Sequence, residues 1–387
     1  MKELQFALGE YHTRLERARA LMHASGLDAL LVGTGSNFRY LSGYPSPATS
    51  TARPFFMIVP ARADPCLLVQ EGRRREVERY AWVNDVHTYR HLSHVPVEAL
   101  VDLLRQRRLE RGVIGIEQGQ EMLPAYPLWE LAEVERRLPG LEFRDASVVL
   151  WALRMVKSAA EIALIRSACT ITARVYARCL PQLCPGMTEI EVARLVALAH
   201  LEEGGEAPSV ILVSDHGDYD LASKPPGPRR LASGDFVWLD MGCSVSGYHS
   251  DFSRGAVLGR ASRAQKKAQD VVNQATSAGI ECLREGIPAR DVARVCERVL
   301  EDSGLEITSN ISRIGGRIGH GLGLDVLELP SLHDMDATVL RAGMVLTIEP
   351  GVATQCGIFH CEQNVVVEED GHEILSIAPT DLYEIVP

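Results

Sequence analysis

The stretch from residue 236 to residue 258 constrains this chain more than any other and reads FVWLDMGCSVSGYHSDFSRGAVL. Apolar and β-branched residues flank Ser246-Gly247, a pair suited to the positive φ angles of a tight hairpin turn. We therefore predict two antiparallel strands, 236–245 and 248–258, with Val245 opposite Tyr248. The alternation of side chains along a strand then decides which residues share a face.

Two aspartates fall on one face of this predicted hairpin. In the predicted register Asp240 faces Ser253 and Asp251 faces Gly242, so the two carboxylates are diagonal neighbours about 7–8 Å apart. Carboxylates held in this way on stiff strands repel each other unless a cation lies between them. The two aspartates could simply be exposed residues of a hairpin. The functional interpretation is that they bind a pair of divalent metal ions.

Three downstream motifs favour the metal. They contain His320 in GGRIGHGLGLD, Glu349 in VLTIEPG and Glu362 in FHCEQNVVV. Each side chain has apolar or glycine-rich neighbours, where a charge is costly unless it is paired or bound to a metal. Oxygen donors with one imidazole form a mixed ligand set that suits manganese, cobalt or zinc.

The five residues, with the phrases LDMG, GYHSDFSR, GHGLGL, TIEPG and CEQNVVV, resemble the pita-bread metallopeptidases in order, spacing and local context. That group includes aminopeptidase P, prolidase and methionine aminopeptidase, with creatinase as a metal-free relative. The resemblance implies an α+β protein in which an amino-terminal α/β creatinase-like domain precedes a pita-bread catalytic domain. We expect these domains to cover residues 1–150 and 151–387.

The resemblance also implies roles for the five residues. Asp240 would bind one metal, Asp251 and Glu362 would bridge two, and His320 and Glu349 would hold the second. Two bridged metals lower the pKa of a shared water, which then attacks an amide carbonyl. Glu349 would be the catalytic group that takes the proton of this water and delivers it to the leaving nitrogen. The expected activity is that of an Xaa-Pro aminopeptidase or prolidase on a short peptide.

The sequence departs from the family at three pocket positions. Leu327 occupies the place of a histidine that follows the ligand histidine by seven residues, and Ser223-Lys224 occupies the place of another. His360 stands where prolidases have an arginine. Lys224 and His360 are candidate replacement donors for the substrate, and Leu327 is expected to make the pocket more apolar. These departures leave the requirement for proline open.

Two other functions follow from the same residues. One is that of a hydrolase or lyase acting on a small non-peptide metabolite, as in ectoine hydrolase or creatinase. The missing histidines favour it. The other is a non-catalytic binding protein on a peptidase scaffold. The retained set of five ligands disfavours both a metal-free mechanism and a retired site, because each buried polar group is costly.

Composition excludes several classes of protein. The chain has 387 residues, 46% of them hydrophobic, and a formal charge of −11, which disfavours a nucleic-acid-binding surface. No segment reaches the roughly 20 apolar residues of a membrane span. The nine cysteines form no CxxC pair, and charges stand where a secretory signal would be apolar, so we expect a cytoplasmic protein. By resemblance it would be a homodimer.

Hydrophobic periodicity predicts that helices and strands alternate in the amino-terminal half and that strand hairpins dominate the carboxy-terminal half. In the first half we expect SNFRYLSGY to form a loop and strand, with helices at 10–24, 97–107 and 128–137 and strands at 29–32, 54–60, 65–69 and 113–117. In the second half we expect a long helix opened by the phrase LRMVKSAAEIALIRSAC, helices at 189–203, 264–284 and 289–302, and strands at 210–214, 345–348 and 359–368 beside the hairpin.

Overall fold

The computed structural model describes residues 2–33, 35–45, 54–90, 96–124, 126–215 and 225–386, without the side chains of Val213 and Asp215. The chain folds into two compact units, Met1–Arg154 and Met155–Pro387. The mixture of helices and sheets agrees with the α+β class expected from the sequence. Within the described ranges, no helix is both long and apolar enough to span a membrane.

The first unit is a mixed six-stranded sheet with helices, in the strand order β4-β3-β2-β1-β5-β6. The strands are β1 Ala29–Gly33, β2 Phe56–Pro60, β3 Cys66–Gln70, β4 Asp85–Tyr89, β5 Val113–Ile116 and β6 Glu142–Asp145. The helices are α1 Leu8–Ala24, α2 Ser36–Ser42, α3 Arg74–Tyr80, α4 Val97–Gln106, α5 Leu128–Arg137 and α6 Ser147–Arg154.

One element of this unit differs from the prediction. The phrase SNFRYLSGY forms helix α2 and not a loop and strand, and this helix ends at Gly43, which has a φ of 77°. Phe38 and Tyr40 are buried, so packing stabilises a helix whose aromatic content resembles that of a strand. The strands predicted at 54–60 and 65–69 form β2 and β3, which pair antiparallel with Met57 opposite Leu67.

The second unit contains three sheets, with strand orders β19-β10-β8-β7, β11-β15-β16 and β13-β12-β14-β17-β18, and β9 also pairs with β8. Its helices are α7 Ala159–Cys179, α8 Glu189–Glu202, α9 Arg263–Glu281, α10 Ala289–Asp302 and α11 Ile311–Gly315. Its strands are β7 Glu206–Asp215, β8 Phe236–Val245, β9 Tyr248–His249, β10 Phe252–Val257, β11 Ser309–Asn310, β12 His320–Gly321, β13 Glu328–Ser331, β14 Val345–Ile348, β15 Gly351–Thr354, β16 Gly357–His360, β17 Gln363–Val367, β18 His372–Ile374 and β19 Tyr383–Glu384.

Local sequence explains where the long helices of this unit begin. Capping boxes open α7, α8 and α9, formed by Ser158 with Glu161, Thr188 with Glu191, and Ser262 with Gln265. In each box the two side chains satisfy backbone N–H groups that would otherwise lack partners. The apolar face of α9 packs on the hairpin strands and on β16 in one buried cluster.

Candidate metal centre

The hairpin has the predicted register. Val245 pairs with Tyr248, and Asp240 pairs with Ser253. The turn residue Ser246 has a φ of 47°, as a turn of this type requires. The second strand is not continuous, however, since β9 ends at His249 and β10 begins at Phe252.

Three carboxylates and two histidines line one cavity of this unit, and Glu362 is buried beside them. One ligand atom each from Asp251, His320 and Glu362 lie within 4.8 Å of one another. Nε2 of His320 lies 3.7 Å from Oδ2 of Asp251 and 3.4 Å from Oε1 of Glu349. Asp240 lines the same cavity, which has a volume of about 400 Å³. The five predicted ligands therefore converge.

His320 is oriented by its own backbone surroundings. Its Nδ1 lies 2.9 Å from the carbonyl oxygen of Gly321, and its backbone N–H donates to Oγ1 of Thr347 at 3.0 Å. Because a carbonyl only accepts, the proton of the neutral ring is on Nδ1 and the lone pair of Nε2 faces the carboxylates. This is the usual arrangement of a histidine that binds a metal.

Glu362 is the most unusual carboxylate of the cluster. It is fully buried, and among the described residues no donor contacts either of its oxygens. Oδ1 of Asp240 is also buried and accepts no hydrogen bond from the residues that the structure describes. A buried charge without a partner is costly, and a bound cation removes this cost. The donor set of carboxylate oxygens and one imidazole thus fits divalent metal ions.

The pKa values of the cluster reflect crowding of negative charge. Burial, followed by the charges of Asp251, Asp240 and Glu349, raises the pKa of Glu362 well above its usual range. Burial and the charges of Asp240 and Glu349 likewise raise the pKa of Asp251. Burial also raises the pKa of Asp240 to about 6. Such shifts mark groups that bind a proton or a metal in place of solvent.

Glu349 behaves differently. Burial acts to raise the pKa of this carboxyl, but the neighbouring His320, the contact with His360 and the Arg317 guanidinium together lower it. Its backbone N–H donates to the carbonyl of Ile318 at 2.8 Å, which fixes the start of the Glu349 side chain beside the histidine loop. Glu349 is therefore the carboxylate of the cluster that stays ionised most readily.

His360 lies in the site, but it is not on one continuous strand with Glu362. It ends β16, whereas Glu362 lies between β16 and β17, and these strands belong to different sheets. The prediction of one continuous strand over 359–368 was wrong, because β16 pairs with β15 and β17 pairs with β14. Ser253 holds Nδ1 of His360 at 2.6 Å, and Nε2 lies 3.5 Å from Oε2 of Glu349.

The cavity wall beside these groups is apolar. Leu327 is half exposed and lines the cavity with Ile211, Ile311 and Val326. Lys224 and its neighbour Ser223 lie outside the described residues.

Sequence reasoning missed Arg317, which also lines the cavity. Its charge acts to lower the pKa of both Asp251 and Glu349. It precedes His320 by three residues in the phrase RIGH, so its closeness to the ligand motif was the available signal.

Comparison with known proteins agrees with this geometry. The profile of Metallopeptidase family M24 matches residues 163–369, and that of the Creatinase/Prolidase N-terminal domain matches residues 14–156. An Xaa-Pro dipeptidase from Pyrococcus horikoshii is 26% identical over 374 residues, which cover 95% of this chain and 98% of that protein.

Solved structures extend the likeness over the whole fold. Dipeptidase PepE from Mycobacterium ulcerans is 28% identical with a TM-score of 0.83, over 99% of this chain and 100% of that one. An Xaa-Pro dipeptidase from Bacillus anthracis has a TM-score of 0.84 at 22% identity, over 97% and 99%, and supports the fold alone. The chain therefore belongs to Metallopeptidase family M24 and is a peptidase whose family uses divalent metal ions.

Proposed function

We propose that this protein is a dinuclear metal-dependent peptidase that hydrolyses one amide bond of a short peptide or amino-acid derivative. The observation that carries the proposal is the burial of Glu362 without a donor to either oxygen, within 4.8 Å of donor atoms of Asp251 and His320. In this proposal Asp240, Asp251, His320, Glu349 and Glu362 are the ligands. The ions are manganese, cobalt or zinc, which suit such donors.

A pair of divalent ions, when bound, supplies a water that ionises near neutral pH and an electrophile for the substrate carbonyl. The chain contributes the proton transfers. Glu349 stays ionised, so it accepts the proton of the attacking water and returns it to the leaving nitrogen. Nε2 of His360 lies 3.5 Å from Oε2 of Glu349. In this proposal Nε2 donates to the substrate carbonyl oxygen when substrate is bound.

The cavity suggests what the substrate looks like. Its wall contains Ile211, Ile311, Val326 and Leu327, and the guanidinium-bearing Arg317 lines it as well. Arginine recognises carboxylates in a planar, two-point geometry. We infer a substrate with an apolar side chain and a free carboxylate.

Hydrolysis of a small non-peptide metabolite is the second candidate, and one observation favours it. The half-exposed Leu327 lines the cavity where an Xaa-Pro peptidase presents a histidine, so one carbonyl-binding donor of a proline peptidase is absent. N-acyl amino acids have the same amide and carboxylate as a dipeptide and would be accepted by the same groups.

A hydrolysis screen of the metal-loaded protein tests both candidates. It compares Xaa-Pro dipeptides, ordinary apolar dipeptides and N-acyl amino acids, each with manganese, cobalt or zinc and each after treatment with a chelator. Metal-dependent release of an amino acid from any of these supports the proposal. Full activity in the chelated protein would refute it. The domain boundary near residue 150, a role of Lys224, the homodimer and the cytoplasmic location stay predictions.

A further inference from the structure

The second strand of the metal hairpin is interrupted at the point where it carries a ligand. Ser250 and Asp251 lie between β9 and β10, although the register is the same on both sides. The N–H of Ser250 donates to the carbonyl of Cys243 at 2.9 Å, but the N–H of Cys243 donates to Oγ of Ser250 at 3.1 Å. The Ser250 hydroxyl thus takes the place of the Ser250 carbonyl as the acceptor for Cys243. The backbone of Asp251 bonds to a residue outside the hairpin.

Asn364 supplies those partners. The N–H of Asp251 donates to Oδ1 of Asn364 at 3.0 Å, and Nδ2 of Asn364 donates to the carbonyl oxygen of Asp251. One side-chain amide therefore imitates the two-point pairing of a neighbouring strand. Asn364 is fully buried, so these bonds do not compete with bulk solvent.

Asn364 is itself held in place by Ser376 and by helix α7. The backbone of Asn364 in β17 donates to Oγ of Ser376 at 2.8 Å, and Oδ1 accepts from the thiol of Cys169 at 3.2 Å. One turn further along α7, Oγ1 of Thr172 bonds to Oγ of Ser250 at 2.8 Å. Residues three apart on a helix share a face, so α7 supports both sides of the interruption.

We propose that Asn364 is a positioning residue that holds the Asp251 carboxylate toward His320 by clamping the Asp251 backbone. Glu362 lies two residues before Asn364, so the clamp also ties together two ligands that are 111 residues apart in sequence. A neutral amide does this without adding a charge to four crowded carboxylates. The inference rests on the proposed metal function.

The substitution Asn364→Leu tests it, because it removes both the Oδ1 acceptor and the Nδ2 donor while nearly keeping the volume and adding no charge. The matched control is Thr354→Val, which removes a buried hydroxyl that bonds within the β15–β16 turn. Manganese affinity is measured by competition with a chromophoric chelator. Hydrogen exchange of the Asp251 amide is measured in metal-free protein.

We expect Asn364→Leu to weaken manganese binding about 10- to 100-fold, the usual effect of losing a group that orients a ligand. Exchange at Asp251 should accelerate because its N–H loses the Oδ1 acceptor. The kcat should fall and KM should stay within about twofold. Thr354→Val should change neither affinity nor exchange. If Asn364→Leu does not fold, Asn364→Ser takes its place with the same expectations.

Unchanged manganese affinity and unchanged exchange at Asp251 in a folded variant, beside a wild type that binds manganese tightly, would overturn this inference alone. A wild type that binds no divalent metal would overturn the proposed function and this inference with it.

Discussion

Lys157 and Glu328 form a buried ion pair in the catalytic unit, with Nζ and Oε2 3.0 Å apart and both side chains 1% exposed. Oε1 of Glu328 also accepts from the N–H of Asp325 at 3.2 Å. Replacing Lys157 by methionine leaves the Glu328 charge buried without its cation. Removal of one partner of such a pair costs about 3–5 kcal/mol. We expect Lys157→Met to lower the free energy of unfolding by that amount.

The double variant Lys157→Met/Glu328→Gln should recover most of the loss, because replacing both charges removes the desolvation cost as well as the attraction. The matched control is Arg166→Met. It breaks a pair with Glu373 in which Nη2 and Oε2 are 2.7 Å apart and the side chains are 44% and 41% exposed. Exposed pairs contribute about 0–1 kcal/mol.

Urea unfolding of the full chain labelled with 5-fluorotryptophan measures these effects. Trp238 is the only tryptophan after residue 154, so its fluorine resonance reports the unit that contains the ion pair. A loss below about 1 kcal/mol in Lys157→Met, equal to that of Arg166→Met, would refute the reasoning that burial sets the magnitude.

Three further substitutions and a change of pH address the site. Asp251→Asn should abolish turnover while thermal unfolding stays native-like, because a neutral amide cannot balance two cations; near-wild-type activity would show that Asp251 is not a bridge. Arg317→Met should lower kcat/KM about 10- to 100-fold for substrates with a free carboxylate, the worth of a charge-assisted hydrogen bond, and should leave their amidated analogues unaffected; equal losses would argue against a carboxylate contact. Leu327→His should improve poor Ala-Pro hydrolysis only slightly, and a wild-type kcat/KM above about 10⁴ M⁻¹s⁻¹ would show that other donors replace the missing histidines. Chelator-treated protein should unfold at a higher temperature at pH 5.5 than at pH 7.5, because the folded-state pKa of Asp240 is raised to about 6 and the folded chain gains stability as that carboxyl is protonated. Manganese should raise the melting temperature more at pH 7.5 than at pH 5.5. A metal-free protein that melts at a higher temperature at pH 7.5 would contradict the raised pKa of Asp240.

Local rules were sufficient for several elements of the site. The Ser246-Gly247 turn and the alternation of side chains determined the pairing of Asp240 with Ser253, as the sequence predicts. Helix α10 begins and ends at the predicted residues, 289 and 302, because its apolar stripe has helical period. Short-range patterns decide such features because the interacting groups are neighbours in the chain.

Tertiary contacts decided the rest. Asn364 clamps a backbone 113 residues away, and this contact accompanies the division of the predicted strand 248–258 into β9 and β10. The division of 359–368 into β16 and β17 likewise follows from pairing with β15 and β14, so His360 reaches the site from a different sheet than β17. The tertiary fold also brings Arg317 and Leu327 to the wall of one cavity. By itself the sequence determined which residues carry the chemistry, since ligand types and turn residues are local. Only the folded chain decided what orients them, because those partners are brought together by long-range packing.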